Sequence, residues 1–328
     1  MQKQPIHICV QPATLYYAWQ IDTMLYSFEK NGEVDLERVH IILAGKRADQ
    51  VHYQQQVEAK WSEKGVKFFF YEDDRTNFYY ISSVRPWLLT KHWKAFPELE
   101  HEWIFYHDCD IALTRPLNWD KLITADKKQA FTSDCRWYIG YQYLSEKGHG
   151  LMGQMCKIAN ISPQLLKSKD AKESGGAQYV MYGIKASTWQ AVYHLAERLF
   201  KDISAMQSPI RGQYPDWHDL QIWCADMWAL LWQLWREGYT TPTTAELAFS
   251  WGTDPAAKWH SLPIFHNAGV SEWKANGPFY KADWIHQVPK GGVPEVAPQW
   301  ASHQYLQLVQ AAVAATYAHP TTGTISFS

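Results

Sequence analysis

The chain has 328 residues, with 31 Lys+Arg against 33 Asp+Glu for a formal net charge of -2, and it is 46% hydrophobic and 20% charged. At about 100 to 200 residues per domain, this length accommodates two small domains or one large α/β domain with appendages, and the composition excludes a disordered or collagen-like chain. The near-zero charge argues against a broad electrostatic grip on polyphosphate and leaves room for a local basic groove.

In chain order, Ile6 to Val10 is a short β-rich apolar run ended by Gln11-Pro12, which predicts a buried strand. Ala18 to Lys30 carries apolar residues at helical spacing and stops at Asn31-Gly32. Val39 to Ala44 predicts a second strand, 47 to 64 a polar helix, and Val66 to Tyr71 a third strand. Ser83 to Phe96 predicts a helix with Pro86 near its first turn, and Trp103 to Tyr106 a fourth strand. Strands alternating with helices in this way predict a mostly parallel sheet flanked by helices. Ligands on such sheets sit outside the carboxyl ends of the strands.

The fourth strand runs directly into Asp108-Cys109-Asp110. In extended chain, residues two apart point to the same side, so the two carboxylates can jointly hold a hard divalent cation such as Mg2+ or Mn2+. The plain alternative is a solvated turn. Further on, after a short strand expected at 130 to 132, Gly175-Gly176-Ala177-Gln178 precedes another strand. A glycine pair lets backbone approach a ligand closely, or merely makes a turn.

Thr188 to Phe200 predicts a helix, and Leu220 to Trp235 a second one that is apolar on nearly every face and therefore buried. Asp226 is expected in the middle of that helix, where an unpaired carboxylate costs several kcal/mol or takes up a proton. Either a partner satisfies it or the helix faces a polar cavity. The last constellation is His266-Asn267-Ala268-Gly269, with Lys274 after it. A histidine leaving a short apolar strand, with a lysine nearby, can complete a metal site and neutralise a phosphate; taken alone it is a structural residue. From Pro289 the composition turns rich in Gly and Pro, Trp300 to Tyr317 predicts a helix, and the tail TTGTISFS is expected to fray.

The five cysteines contain no C-x-x-C pair, which fits reduced thiols better than a disulfide framework. The start of the chain shows no signal-peptide core, and no run reaches the roughly 18 apolar residues of a membrane span. A cytoplasmic protein without a membrane span is expected. The 18 Trp residues are far above ordinary usage, and such rings serve either as core or as platforms for sugars and bases.

In this order the motifs resemble those of GT-A-type glycosyltransferases, over about residues 5 to 285. The resemblance implies an α/β GT-A-like fold, with a Rossmann-like nucleotide-binding half at 1–115, an acceptor half at 116–288, and a loop and helix extension at 289–328. It implies a metal-dependent enzyme that moves a sugar from a nucleoside-diphosphate sugar, with a UDP-sugar the expected donor, to a glycan or peptide hydroxyl. Asp108, Asp110 and His266 would hold Mn2+ or Mg2+. Lys274, Arg85 and Lys91 would supply phosphate cations, and Gly175, Gly176 and Gln178 would meet the donor sugar. Asp226 would act as general base or would orient donor hydroxyls.

A narrower similarity is to the hydroxyproline O-arabinosyltransferase and peptidyl serine galactosyltransferase group. It rests on Tyr17-Ala-Trp19-Gln20, Leu25-Tyr26-Ser27-Phe28 and Trp223-Cys-Ala-Asp226-Met-Trp-Ala229, with Asp where that group's helix has Glu. Trp217, Trp223 and Trp251 are candidates for an acceptor wall. A hydroxymethylated base in nucleic acid is the alternative acceptor, and a non-catalytic carbohydrate-binding protein the alternative function. A phosphohydrolase site lacks its nucleophile context and further acidic clusters.

Overall fold

The computed structural model of the chain describes residues 4–293 and 295–319; the tail expected to fray lies outside them. The described strands are β1 (Ile6–Pro12), β2 (Val39–Ala44), β3 (Lys67–Tyr71), β4 (Trp103–His107), β5 (Ile111–Leu113), β6 (Phe131–Asp134), β7 (Gly175–Tyr182), β8 (Phe249–Trp251) and β9 (Ile264–His266). Six of them form one sheet in the order β3-β2-β1-β4-β7-β6, and the other three a small sheet in the order β5-β9-β8. The large sheet is mixed. β1 pairs parallel with β4, Ile6 opposite Ile104 and Cys9 opposite His107, whereas β7 runs antiparallel to both β4 and β6. With helices on its flanks, this is the α/β architecture that the alternating elements predict.

The chain contributes alternating stretches to two compact units. One contains the residues up to Val10, Tyr71–His107 and Asn118–Leu247; the other contains Gln11–Phe70, Asp108–Leu117 and the residues from Ala248 onward.

In the first unit, the helix Ala186–Gln213 packs against the helices Val84–Ala95 and Ala225–Arg236. It is longer than its sequence period suggests, because beyond Ile203 only Gln207 is buried and the apolar stripe fades before the helix ends. The aromatic run expected as one helix from Leu220 begins later: a 3-10 turn, Ile222–Cys224, leads into the α-helix Ala225–Arg236. An aromatic run without a start signal hides that boundary, and Asp226 stands in the first turn, where the helix dipole favours a carboxylate, instead of mid-helix.

The glycine pair lies inside β7, not before it. A Cβ on Gly175 would stand 2.2 Å from Thr132 Cγ2 and 2.7 Å from the Ser133 carbonyl oxygen, at the place where the β6–β7 register shifts. Close approach of the neighbouring strand therefore accounts for Gly175. Ala177 follows with φ at 61°, which marks the same irregularity.

In the second unit, the C-terminal helix Ala301–Ala318 packs against the helices Leu15–Ser27 and His52–Ser62. The polar helix expected from residue 47 is split, with a 3-10 turn at Arg47–Asp49 preceding His52–Ser62. A buried cluster joins all three helices. Asp22 accepts from Tyr53 Oη at 2.7 Å, Lys60 Nζ at 3.0 Å, Trp61 Nε1 at 2.8 Å and Thr316 Oγ1 at 2.7 Å. Every acceptor position of this buried charge is thereby engaged, which removes most of the cost of its desolvation.

Tryptophan divides between core and surface. Trp19, Trp61, Trp93, Trp189, Trp228 and Trp232 are fully buried, whereas Trp137, Trp223 and Trp273 are exposed. Among the described residues no helix is long and apolar enough to cross a membrane, and the five cysteines are buried and form no disulfide.

Candidate active site

The strand ladders place the residues picked for metal binding, all within the second unit. After β4 the chain bends at Asp108-Cys109-Asp110 and re-enters a sheet as β5. β5 pairs antiparallel with β9, and its register sets Ile111 opposite His266. The Asn267 N–H donates to the Asp110 carbonyl at 2.8 Å and locks that register at the bend.

His266 Nε2 consequently stands 3.2 Å from Asp110 Oδ1 and 3.8 Å from Asp108 Oδ2. One donor atom from each of the three residues falls within 4.8 Å of the others. His266 and Asp110 are buried, the imidazole stacks 6.1 Å from Trp251 at an interplanar angle of 8°, and Nδ1 has no partner among the described residues. Two carboxylates and an imidazole nitrogen converging on one point form a donor set compatible with a divalent metal.

A cation already faces this cluster. Lys281 Nζ forms an ion pair with Asp110 Oδ2. Burial pushes the Asp110 carboxyl up, but Lys281 and His266 outweigh it and hold the group well below the usual carboxylate range. Burial lowers the Lys281 ammonium in turn, and Asp110 more than restores it. Tyr16 belongs to the same neighbourhood: burial raises its hydroxyl, Lys281 opposes that, and Asp110 reinforces it. Sequence reasoning missed both Lys281 and Tyr16. The signal available for Lys281 was an apolar-aromatic run, Phe279-Tyr280, ending in a single cation. Lys274, chosen instead, pairs with Glu272 at 2.6 Å and is exposed.

A second cluster lies in the first unit. Arg85, in the first turn of Val84–Ala95, forms an ion pair with Asp226 Oδ2, and Tyr80 Oη donates to Asp226 Oδ1 at 2.7 Å. Burial and the Asp226 carboxylate push the Tyr80 hydroxyl well above its ordinary range, so it remains a donor. The question left by the sequence is thus answered with two partners, one for each carboxylate oxygen.

The remaining candidates are dispersed. Lys91 Nζ donates to the Glu72 carbonyl at 2.9 Å and to Asp74 at 2.5 Å near the surface. Gln178 is buried in β7, where its Oε1 accepts from Ser133 Oγ at 2.5 Å, and its Nε2 has no partner among the described residues. A Cβ on Gly176 would meet Met227 Cε at 2.4 Å, the movable end of a side chain. Trp217 Nε1 donates to the Lys147 carbonyl at 2.9 Å and so ties down a loop. Trp223 is 61% exposed, with its carbonyl accepting from Tyr80 Oη. Beside the carboxyl ends of β1 and β2, a cleft is lined by Pro12, Thr14, Leu43, Gln50 and Gln54.

No protein-family model and no curated protein sequence matches the chain. Solved structures do. The bifunctional glycosyltransferase WbbM in its apo form aligns with a TM-score of 0.50 at 9% identity, over 96% of this chain and 52% of that one, so this chain spans about half its length. The galactosyltransferase LgtC, in complex with donor and acceptor sugar analogues, aligns with a TM-score of 0.47 at 12% identity, over 93% and 95% of the two chains. Mouse xyloside xylosyltransferase 1 in its apo form gives 0.42 at 9%, over 82% and 99%. At these identities the likeness is one of fold.

Proposed function

We propose that the chain is a metal-dependent glycosyltransferase that moves a sugar from a nucleoside-diphosphate sugar, best fitted by a UDP-sugar, to an acceptor hydroxyl. The observation that carries this reading is the convergence of Asp108, Asp110 and His266, supplied by a strand end and a distant β-ladder, on a single point. A glycosyltransferase-type fold supports it.

Asp108, Asp110 and His266 would hold the ion, with Mn2+ favoured over Mg2+ because one of the three donors is an imidazole nitrogen. When bound, such an ion supplies Lewis-acid stabilisation of a leaving nucleoside diphosphate. Lys281 adds a positive charge at the same carboxylate and serves the phosphates as a point cation. Asp226 suits the orienting role better than the basic one. A guanidinium takes one of its oxygens and a phenol the other, and its remaining lone pairs can receive sugar hydroxyls. Gln178 contributes its unused amide N–H to the donor sugar. Of the residues that carry the local similarity to the hydroxyproline arabinosyl and peptidyl serine galactosyl group, Asp226 departs from that group's Glu and Trp19 and Gln20 are spent internally on the Trp284 and Tyr16 carbonyls, which weighs against that group's peptide acceptor.

The test is a panel of sugar nucleotides incubated with the chain and Mn2+, scored by nucleoside diphosphate release and by donor binding. Release from at least one donor, abolished by a chelator, is expected. Neither release nor binding with any donor would overturn the reading.

A further inference from the structure

Between β9 and the C-terminal helix, the one regular element among the described residues is the short 3-10 turn Lys281–Trp284. A lysine on so irregular a stretch has no strand register or long helix to aim it, and its flexible four-carbon stem is placed only if the backbone beneath it is fixed. Here the backbone is fixed on both sides of Lys281. Before it, the Phe279 N–H donates to Ser302 Oγ of the helix Ala301–Ala318 at 3.0 Å. After it, the Trp284 carbonyl accepts from Trp19 Nε1 of the helix Leu15–Ser27 at 3.1 Å. Both bonds are buried, and Ser302 and Trp19 are fully out of solvent. Ring contacts close the clamp. Phe279 meets Trp19 edge-on at 6.1 Å and Tyr305 at 6.2 Å, and Tyr305 stacks at 4.9 Å on Phe265, the residue before His266. The helix that braces Lys281 thus also braces the strand that carries His266.

We propose that Ser302 and Trp19 are positioning residues for Lys281, and that through it they set the affinity of the chain for the phosphates of a nucleoside diphosphate. This rests on the glycosyl-transfer reading above, in which Lys281 is the phosphate cation. Lys274, on the same stretch, gives the contrast: it is exposed and pairs with its near neighbour Glu272, whereas Lys281 reaches across the sequence to Asp110. An ammonium held beside a fixed carboxylate is in place before the diphosphate arrives, which reduces the ordering cost of binding. A displacement of about 1 Å is enough to cost such a group much of its effect. Neither Ser302 nor Trp19 has to touch the ligand. Each acts by restraining the backbone under Lys281, and without Ser302 Oγ the buried Phe279 N–H loses its acceptor, which favours a shifted chain.

The experiment measures binding of UDP and of uridine to the full chain by calorimetry with Mn2+ present. The variants are Lys281→Met, Ser302→Ala, Trp19→Phe, and each of the last two combined with Lys281→Met. Lys281→Met should bind UDP about tenfold more weakly, and Ser302→Ala and Trp19→Phe about threefold or more, with uridine affinity kept in all. Neither substitution should weaken UDP further once Lys281 is replaced, because both act through that side chain. Should Trp19→Phe melt early, Ser302→Ala carries the test. UDP affinity kept in both positioning variants, an equal loss for uridine, or a loss that persists in full beside Lys281→Met would overturn the proposal. The two readings fail separately. UDP binding by the unaltered chain that no variant changes sinks the positioning role alone, whereas no UDP binding by the unaltered chain sinks the transfer reading.

Discussion

His266 Nε2 lies 3.2 Å from Asp110 Oδ1 because Ile111, the next residue after Asp110, stands opposite His266 across an antiparallel ladder. A backbone register therefore aims the imidazole, and the proposed metal site inherits the rigidity of a sheet. Asp110→Ala should abolish metal-dependent donor binding while the chain stays folded, as read by calorimetry with Mn2+ and a UDP-sugar. Asp110→Asn should weaken that binding by on the order of 100-fold, since an amide oxygen replaces a charged ligand. Unchanged affinity in either variant would remove Asp110 from the site.

Asp226→Asn should retain donor binding and lose turnover by on the order of 100-fold, since the charged hydrogen-bond acceptor is gone and Arg85 loses its counter-charge. Tyr80→Phe removes one hydrogen bond and should cost about 1 kcal/mol of stability. Steady-state kinetics and urea unfolding separate the two effects. Normal turnover in Asp226→Asn would return that residue to a purely structural role.

Gly175→Ala should destabilise by about 1 to 3 kcal/mol, because its Cβ meets Thr132 and the β6 backbone below 3 Å. Gly176→Ala should be milder, since the methionine end it meets can rotate away. Equal losses of thermal stability for the two would contradict this account of β7.

Lys60→Met leaves Asp22 buried without its cation and should cost about 3 to 5 kcal/mol, with early melting of the C-terminal helix in hydrogen exchange. The pair Asp22→Leu with Lys60→Met should recover much of that loss. A double variant no more stable than Lys60→Met would show that the polar cluster has no apolar substitute.

Burial, with Lys67 and Arg38 adding to it, lowers the His40 imidazole to about 4. The ordinary value is about 6.5, so the unfolded chain binds this proton first, and stability is fully present above pH 6.5 and falls as pH drops towards 4. The loss from this group should approach about 3 kcal/mol. His40→Phe should flatten the dependence of the urea midpoint in that window, and an unchanged slope would assign it to other groups.

Local period and chain order were enough to read much of this protein. An apolar strand that runs into two carboxylates, helices alternating with strands, and a late histidine leaving a short strand are all properties of neighbouring residues, since the 2.0 and 3.6 periods are local. Helix ends were less legible: the helix after β7 outlasts its apolar stripe, and the tryptophan-rich helix begins at Ala225 without a start signal, which moved Asp226 from the middle to the first turn. What only the tertiary structure decided is pairing between distant residues. Lys281 and not Lys274 faces Asp110, Arg85 and Tyr80 each take one oxygen of Asp226, and Gly175 makes room for a neighbouring strand. Each of these depends on strand register and helix docking, in which a shift of one residue turns a side chain to the opposite face, and no local pattern in the sequence records that choice.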